Sequence, residues 1–313
     1  MILCAACDCP TMAATVTVGS PRGAADSPVA DDQRHPADAT RVSVSGRTVA
    51  YAEYGDPGGR PVVGLHGTPG SRQFGGLFAP VAAEQGVRLL AVDRPGYGES
   101  AAWPERSLTD IGDIVAAVLD DAGVERAGMI GFSGGGPHAL AVAATHSDRV
   151  TSVDVISGAT PPSVGETPLP QRLLAGMAAA TPRLFGSLFG LQAWVADHVS
   201  PAVVLSQYTD RGIDTVDRRI VDHLTAEFVA AVGGGRPGVA TEFRLLGEPW
   251  GFAAGAVGRP VRLWHGTRDT NVPLAGVRQL ARRLPTGELR TVDGDHLSAL
   301  LDCRSRVLDR QTS

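Results

Sequence analysis

Between Arg41 and Tyr54 apolar and polar residues alternate in two short runs, Val42 and Val44 in the first and Val49 and Tyr51 in the second, joined at Ser45-Gly46-Arg47. A period of two on either side of a Gly-containing turn predicts an antiparallel hairpin. Beyond it short apolar segments follow at 61–65, 88–92, 127–131, 150–156, 260–265 and 288–292. Segments of that length between helical stretches read as strands of a parallel sheet covered on both faces. Stretches with helical spacing separate them, at 77–85, 108–122, 137–145, 274–284 and 297–308, and in the second of these Ile111, Val115, Val118 and Leu119 share one face. Strand and helix in alternation predict an α/β fold: a mostly parallel central sheet of about eight strands, helices on both faces, and the hairpin at its start.

The alternation stops between residues 159 and 258, where helical patterns continue without a strand pattern. This stretch reads as a helical cap inserted after the sixth strand, so that 41–158 and 259–313 form the core and 159–258 the cap. In its first half Leu173, Leu174, Met177, Leu184, Phe185, Leu188, Phe189, Leu191 and Trp194 are expected to pack as the core of the cap, with a break at Thr181-Pro182. Residues 1–40, rich in Ala, Asp, Pro and Ser, read as a disordered arm.

Composition narrows the partners. A net charge of −5 and the lack of Lys/Arg-rich runs offer nothing to a phosphate backbone, so no nucleic-acid partner is expected. No apolar stretch is long and continuous enough to span a bilayer, and no membrane insertion is expected. Cys4, Cys7, Cys9 and Cys303 read as reduced thiols rather than a metal cluster, which suits a cytoplasmic location. No histidine falls in a metal-binding motif, and neither a metal nor another cofactor is expected.

The chemistry is carried by Gly131-Phe132-Ser133-Gly134-Gly135, which stands between a strand pattern and a helix pattern. A serine on so sharp a bend needs small neighbours, and the helix that follows aims its amide-rich end at developing negative charge. A serine hydroxyl at neutral pH also needs an imidazole to take its proton and a carboxylate to orient that imidazole. Two later loops supply them, each just past a strand: Gly266-Thr267-Arg268-Asp269 and Gly294-Asp295-His296. The order Ser133, Asp269, His296 is the one that a strand–turn–helix elbow of this kind uses. Asp293 and Asp295, though nearer to His296 in the chain, read as turn formers. His66 reads as a shaper of its loop, and His138 as a packing or rim residue.

These motifs, with His66-Gly67-Thr68-Pro69-Gly70 and Asp93-Arg94-Pro95-Gly96-Tyr97-Gly98-Glu99-Ser100, resemble those of the α/β-hydrolase superfamily from about Arg41 to the C-terminus, most of the cap excepted. The resemblance implies that the backbone N–H groups of Thr68 and Gly134 form the oxyanion hole. It implies a serine hydrolase of a capped branch acting on a small-molecule substrate, an ester, lactone or similar acyl compound of small or medium size. The same triad would also serve a carbon–carbon bond hydrolase or a cofactor-free perhydrolase, and the same fold a non-catalytic ligand receptor.

Overall fold

The computed structural model describes residues 38–164, 169–233 and 237–309, all within one unit, His35–Ser313. Most of the expected N-terminal arm, with Cys4, Cys7 and Cys9, lies outside the described residues. Strands β1 (Thr40–Val44) and β2 (Arg47–Gly55) form the opening hairpin. Ser45 and Gly46 both take left-handed backbone, at φ +48° and +75°, which matches the right-handed twist of the two strands.

Strands β3 (Arg60–Leu65), β4 (Val87–Val92), β5 (Ala127–Phe132), β6 (Val150–Ile156), β7 (Val261–Gly266) and β8 (Gly287–Val292) complete an eight-stranded sheet in the order β1-β2-β4-β3-β5-β6-β7-β8. Pairing is antiparallel from β1 through β2 to β4 and parallel from there on. Adjacent residues of the parallel strands feed opposite layers, which is why the central strands are apolar on both faces. Val63, Leu90, Met129, Val155 and Leu263 pack on one side with α2 (Ile111–Asp121), α3 (Gly135–Thr145) and α9 (Leu274–Arg283). Val62, Leu89, Ile130, Ile156 and Trp264 pack on the other with α1 (Ala79–Glu84) and α10 (His296–Asp309). Cys303 is fully buried in this second layer, where burial pushes its thiol up to about 11.

Between β6 and β7 the chain forms the cap: α4 (Leu169–Ala180), α5 (Pro182–His198), α6 (Ala202–Leu205), α7 (Arg218–Val232) and α8 (Gly238–Gly247). Pro182 opens α5, where its missing N–H costs nothing. Phe185, Leu224, Phe228 and Val239 are buried in the layer that also holds Phe74 and Phe132 of the core. The expectation that the apolar residues of α4 and α5 pack inward needs correction for six of the nine. Leu173, Met177, Leu184, Leu188, Leu191 and Trp194 are exposed, while the inward side of α5 is occupied by Phe185, Ala193 and Ala196. Helix α5 is apolar on two faces, and among the described residues only one of them meets protein.

Two buried carboxylates reach from the cap to the loop after β3. Glu242 of α8 is fully buried and pairs with Arg94 at 3.1 Å and with Arg106, accepts a hydrogen bond from Thr68 Oγ1 at 3.3 Å, and lies 3.3 Å from His138 Nε2. Burial would raise its pKa, but Arg94, His138 and Arg106 hold it well below the ordinary carboxylate range. Close main-chain contact supports the same junction, since a Cβ on Gly96 would stand 2.6 Å from Gly238 Cα. Glu227 of α7 feels the Arg94 charge too, but burial dominates. Its Oε1 accepts from Ser71 N at 3.3 Å, and burial pushes its pKa up to about 8.

Each carboxylate yields an expectation. Because the folded pKa of Glu227 lies above its ordinary 4.5, the folded state holds this proton longer than the unfolded chain does. The contribution of this group to stability is therefore complete below about pH 4.5, falls by about 1.4 kcal/mol per pH unit up to about pH 8, and is level above that. Urea unfolding across that range should show Glu227→Gln gaining on the wild type as pH rises; a constant difference would contradict the assignment. Glu242→Ala leaves two guanidinium groups buried without a counter-ion and should cost about 3–5 kcal/mol in the same experiment. Adding Arg106→Leu should restore part of that loss, whereas simple additivity would mean that the two side chains are not coupled.

Candidate active site

Ser133 stands on the two-residue bend between β5 and α3 with left-handed backbone, φ +51°. For a side chain with a Cβ this is a strained position, worth about 1–3 kcal/mol, that surrounding contacts must maintain. Its N–H donates to Ile156 O at 2.9 Å, and its carbonyl accepts from Gly136 N and Ala159 N at 3.0 Å each. Two glycines make the bend possible. A Cβ on Gly135 would lie 2.1 Å from Leu65 O, and one on Gly131 would lie 2.5 Å from Gly135 O.

Thr68 faces this bend across the sheet's edge: a Cβ on Gly134 would fall 2.2 Å from Thr68 Oγ1. The loop carrying Thr68 is fastened from below. Arg94 donates to Gly67 O at 3.1 Å, to Thr68 Oγ1 at 2.9 Å and to His66 O. His66 is fully buried, its Nδ1–H donating to Gly67 O at 2.7 Å and its Nε2 accepting from Arg94 N at 3.2 Å. Burial and the Arg94 charge push its pKa well below the usual value, so the ring is neutral and serves the loop. His138 is likewise buried, donating from Nδ1 to Gly134 O at 2.9 Å.

Asp269 lies on the loop after β7, and His296 opens α10 after β8. Asp269 Oδ1 accepts from Asn271 N and Val272 N at 2.9 Å each, and Oδ2 accepts from His296 Nδ1 at 2.8 Å. A carboxylate can only accept here, so the proton is on Nδ1, and Nε2 is the basic nitrogen of the neutral ring. Burial opposes the charge on Asp269, but the His296 and Val272 hydrogen bonds outweigh it, and its pKa is lowered. Asp295 caps α10 through Ser298 N at 2.8 Å, and exposed Asp293 pairs with Arg268. Neither of these acids replaces Asp269 as the imidazole's partner.

The His296 ring packs on Phe132, the residue before Ser133, at 4.9 Å between centroids. No hydrogen bond joins Ser133 to His296 among the described residues. Such bonds are commonly long in unliganded sites and close when substrate arrives. A cavity of about 530 Å³ opens over the serine, within the range of small-molecule sites. Thr68, Ser133 and Gly134 form its floor, α4 and α8 contribute Arg172, Leu174, Phe243 and Leu246, and Asn271 with Val272 closes one side.

Several residues that build this arrangement escape a reading by motif. Glu242, Arg106 and Glu227 are ordinary charged positions in the chain, and only folding brings them under the Thr68 loop. His265 is fully buried, donating from Nε2 to Val272 O at 2.9 Å and standing 3.7 Å from Asp269 Oδ2. Burial lowers its pKa and keeps it neutral beside the carboxylate. The segment after α6 meets both loops: Gln207 O accepts from Asn271 Nδ2 at 2.6 Å, Tyr208 O from Leu297 N at 3.1 Å, and Thr209 Oγ1 bonds Asp295.

Comparison with known proteins agrees with this architecture. The dihydrolipoyllysine-residue acetyltransferase component of the acetoin cleaving system of Pseudomonas putida is 36% identical over 157 residues, 48% of this chain and 40% of that protein. The chain spans half or less of the length of this and several further curated relatives. The pimeloyl-(acyl-carrier protein) methyl ester esterase of Chromobacterium violaceum is 30% identical over 235 residues, 74% of this chain and 84% of that protein. Among solved structures, the enol-lactonase of Burkholderia xenovorans superposes with a TM-score of 0.67 at 20% identity, over 88% of this chain and 100% of that one. The family profile described as alpha/beta hydrolase fold matches residues 60–302, and the chain belongs to that family.

Proposed function

We propose that the protein is a serine hydrolase that cleaves a small or medium acyl substrate, a carboxylic ester or lactone, through an acyl-enzyme. The observation that carries this reading is the 2.8 Å hydrogen bond from His296 Nδ1 to Asp269, in a site whose cavity floor holds Ser133 on its bend. In this mechanism His296 Nε2 takes the Ser133 proton as Oγ attacks the carbonyl carbon. The imidazolium that forms is stabilised by Asp269, whose lowered pKa keeps it ionised. The carbonyl oxygen becomes an oxyanion against the N–H groups of Thr68 and Gly134. His296 then protonates the leaving alkoxide, and in the second half it activates a water that releases the acid and regenerates Ser133. Carboxylic esters are favoured because the relative aligned over 84% of its own length is named a methyl ester esterase.

Ser133→Ala should abolish covalent labelling by a fluorophosphonate probe and lower kcat on short-chain p-nitrophenyl esters by about 10⁴-fold or more. Asp269→Asn, which permits the wrong tautomer of His296, should lower kcat by about 10⁴-fold while retaining substrate binding. Wild-type turnover by the Ser133→Ala protein would end this reading. A panel of esters, lactones, thioesters and vinylogous diketones assayed alongside separates acyl transfer from carbon–carbon cleavage, and thermal stabilisation by ligand without turnover would indicate a receptor.

A further inference from the structure

Every large apolar side chain exposed among the described residues lies between Leu173 and Val199, on α4, α5 and the residue after α5. On α5, Leu184, Leu188 and Leu191 recur at helical spacing with 56%, 45% and 59% of their surface exposed, and Trp194 continues the row at 55%. On α4, Leu173 and Met177 are exposed by 61% and 42%. The inward face of α5 is already satisfied, with Phe185 against Phe189 and Phe243 at 5.1 and 5.3 Å. From Arg172 through Trp194 the chain carries only two charged residues, Arg172 and Arg183, both basic.

We propose that this helical hairpin is a docking surface for a lipid assembly that carries negative charge. Leucines and a tryptophan in one row, flanked by arginines whose stems lie along apolar surface while their heads reach phosphate, have the chemistry of a helix lying in a headgroup layer. No helix among the described residues is long and apolar enough to cross a membrane, so the hairpin lies on the surface and does not span it. Charge selects and orients this occupant. The whole chain carries a net −5, so an anionic surface attracts the hairpin and repels the rest, which turns this face inward. A second copy related by a two-fold axis would instead set the two arginines of one face against those of the other, with a single carboxylate on each, Asp197 near the end of α5, to offset them.

The docking face is continuous with the cavity over Ser133. Arg172 and Leu174 line that cavity, while Leu173 and Met177 of the same helix point outward. An amphiphile held in the surface would reach the serine without first dissolving. The docking itself does not depend on the chemistry proposed for Ser133, and the Ser133→Ala protein should bind vesicles as the wild type does.

The test is co-sedimentation of the full chain with vesicles of phosphatidylcholine alone and of an equimolar mixture with phosphatidylglycerol, with tryptophan emission followed in parallel. Binding is expected to the mixed vesicles, to weaken as salt rises, and to shift emission to the blue in a manner that Trp194→Phe removes. Leu188→Asn and Leu191→Asn should each weaken binding by about tenfold. Their circular dichroism and melting should be unchanged because both side chains are exposed, and Arg183→Gln, which leaves the apolar row intact, should weaken binding several-fold. Lack of binding to either vesicle overturns the proposal, as does equal binding to both at every salt concentration. A concentration-dependent dimer that the leucine substitutions dissolve, with no response to vesicles, overturns it in favour of a second copy on this face.

Discussion

The site depends on how closely two pieces of backbone can approach at the edge of the sheet. The turn after β5 rests on the carbonyl oxygens at the end of β3, near enough that a methyl group at Gly135 would lie 2.1 Å from Leu65 O. That contact brings Gly134 against Thr68, so that Ser133, Gly134 and Thr68 line one cavity. A pair of parallel strands without hydrogen-sized residues at this crossing could not place these groups together. The strain of a left-handed serine is sustained by the strands on either side, through Ile156 O below and the loop to Ala159 above.

Buried charge supports the same edge from the other direction. Arg94 holds the carbonyl oxygens of His66 and Gly67, and Glu242 descends from the cap to hold Arg94. Such a group of ions does not add much stability over a well-packed apolar alternative, but it tolerates few other arrangements. It specifies where α8 sits relative to the Thr68 loop, and with it one wall of the cavity.

The parts of the molecule legible in the sequence were those written in local pattern. Strand and helix alternation predicts the sheet and the cap insertion, because the central strands are buried on both faces and the covering helices have an apolar side. Ser133, Asp269 and His296 stand in short motifs at the ends of strands, and the hydrogen bond between the last two joins loops that the chain order already placed side by side. Glu242, Glu227 and Arg106 could not be found in this way. Their importance comes from neighbours more than a hundred residues distant, and an isolated glutamate on an amphipathic helix looks the same whether it faces water or an arginine. The apolar residues of α4 and α5 misled for a related reason. Hydropathy reports that a side chain avoids water, and it does not say whether protein or something else provides the shelter.

The segment of residues 207–209 has a mechanical implication. Because its backbone is tied to Asn271 on one loop and to Leu297 beside the imidazole on the other, this flank of the cap is tethered to the two loops that carry Asp269 and His296. Lifting it would pull on both loops at once. This flank of the cap and the Asp269–His296 pair therefore keep their places together or not at all.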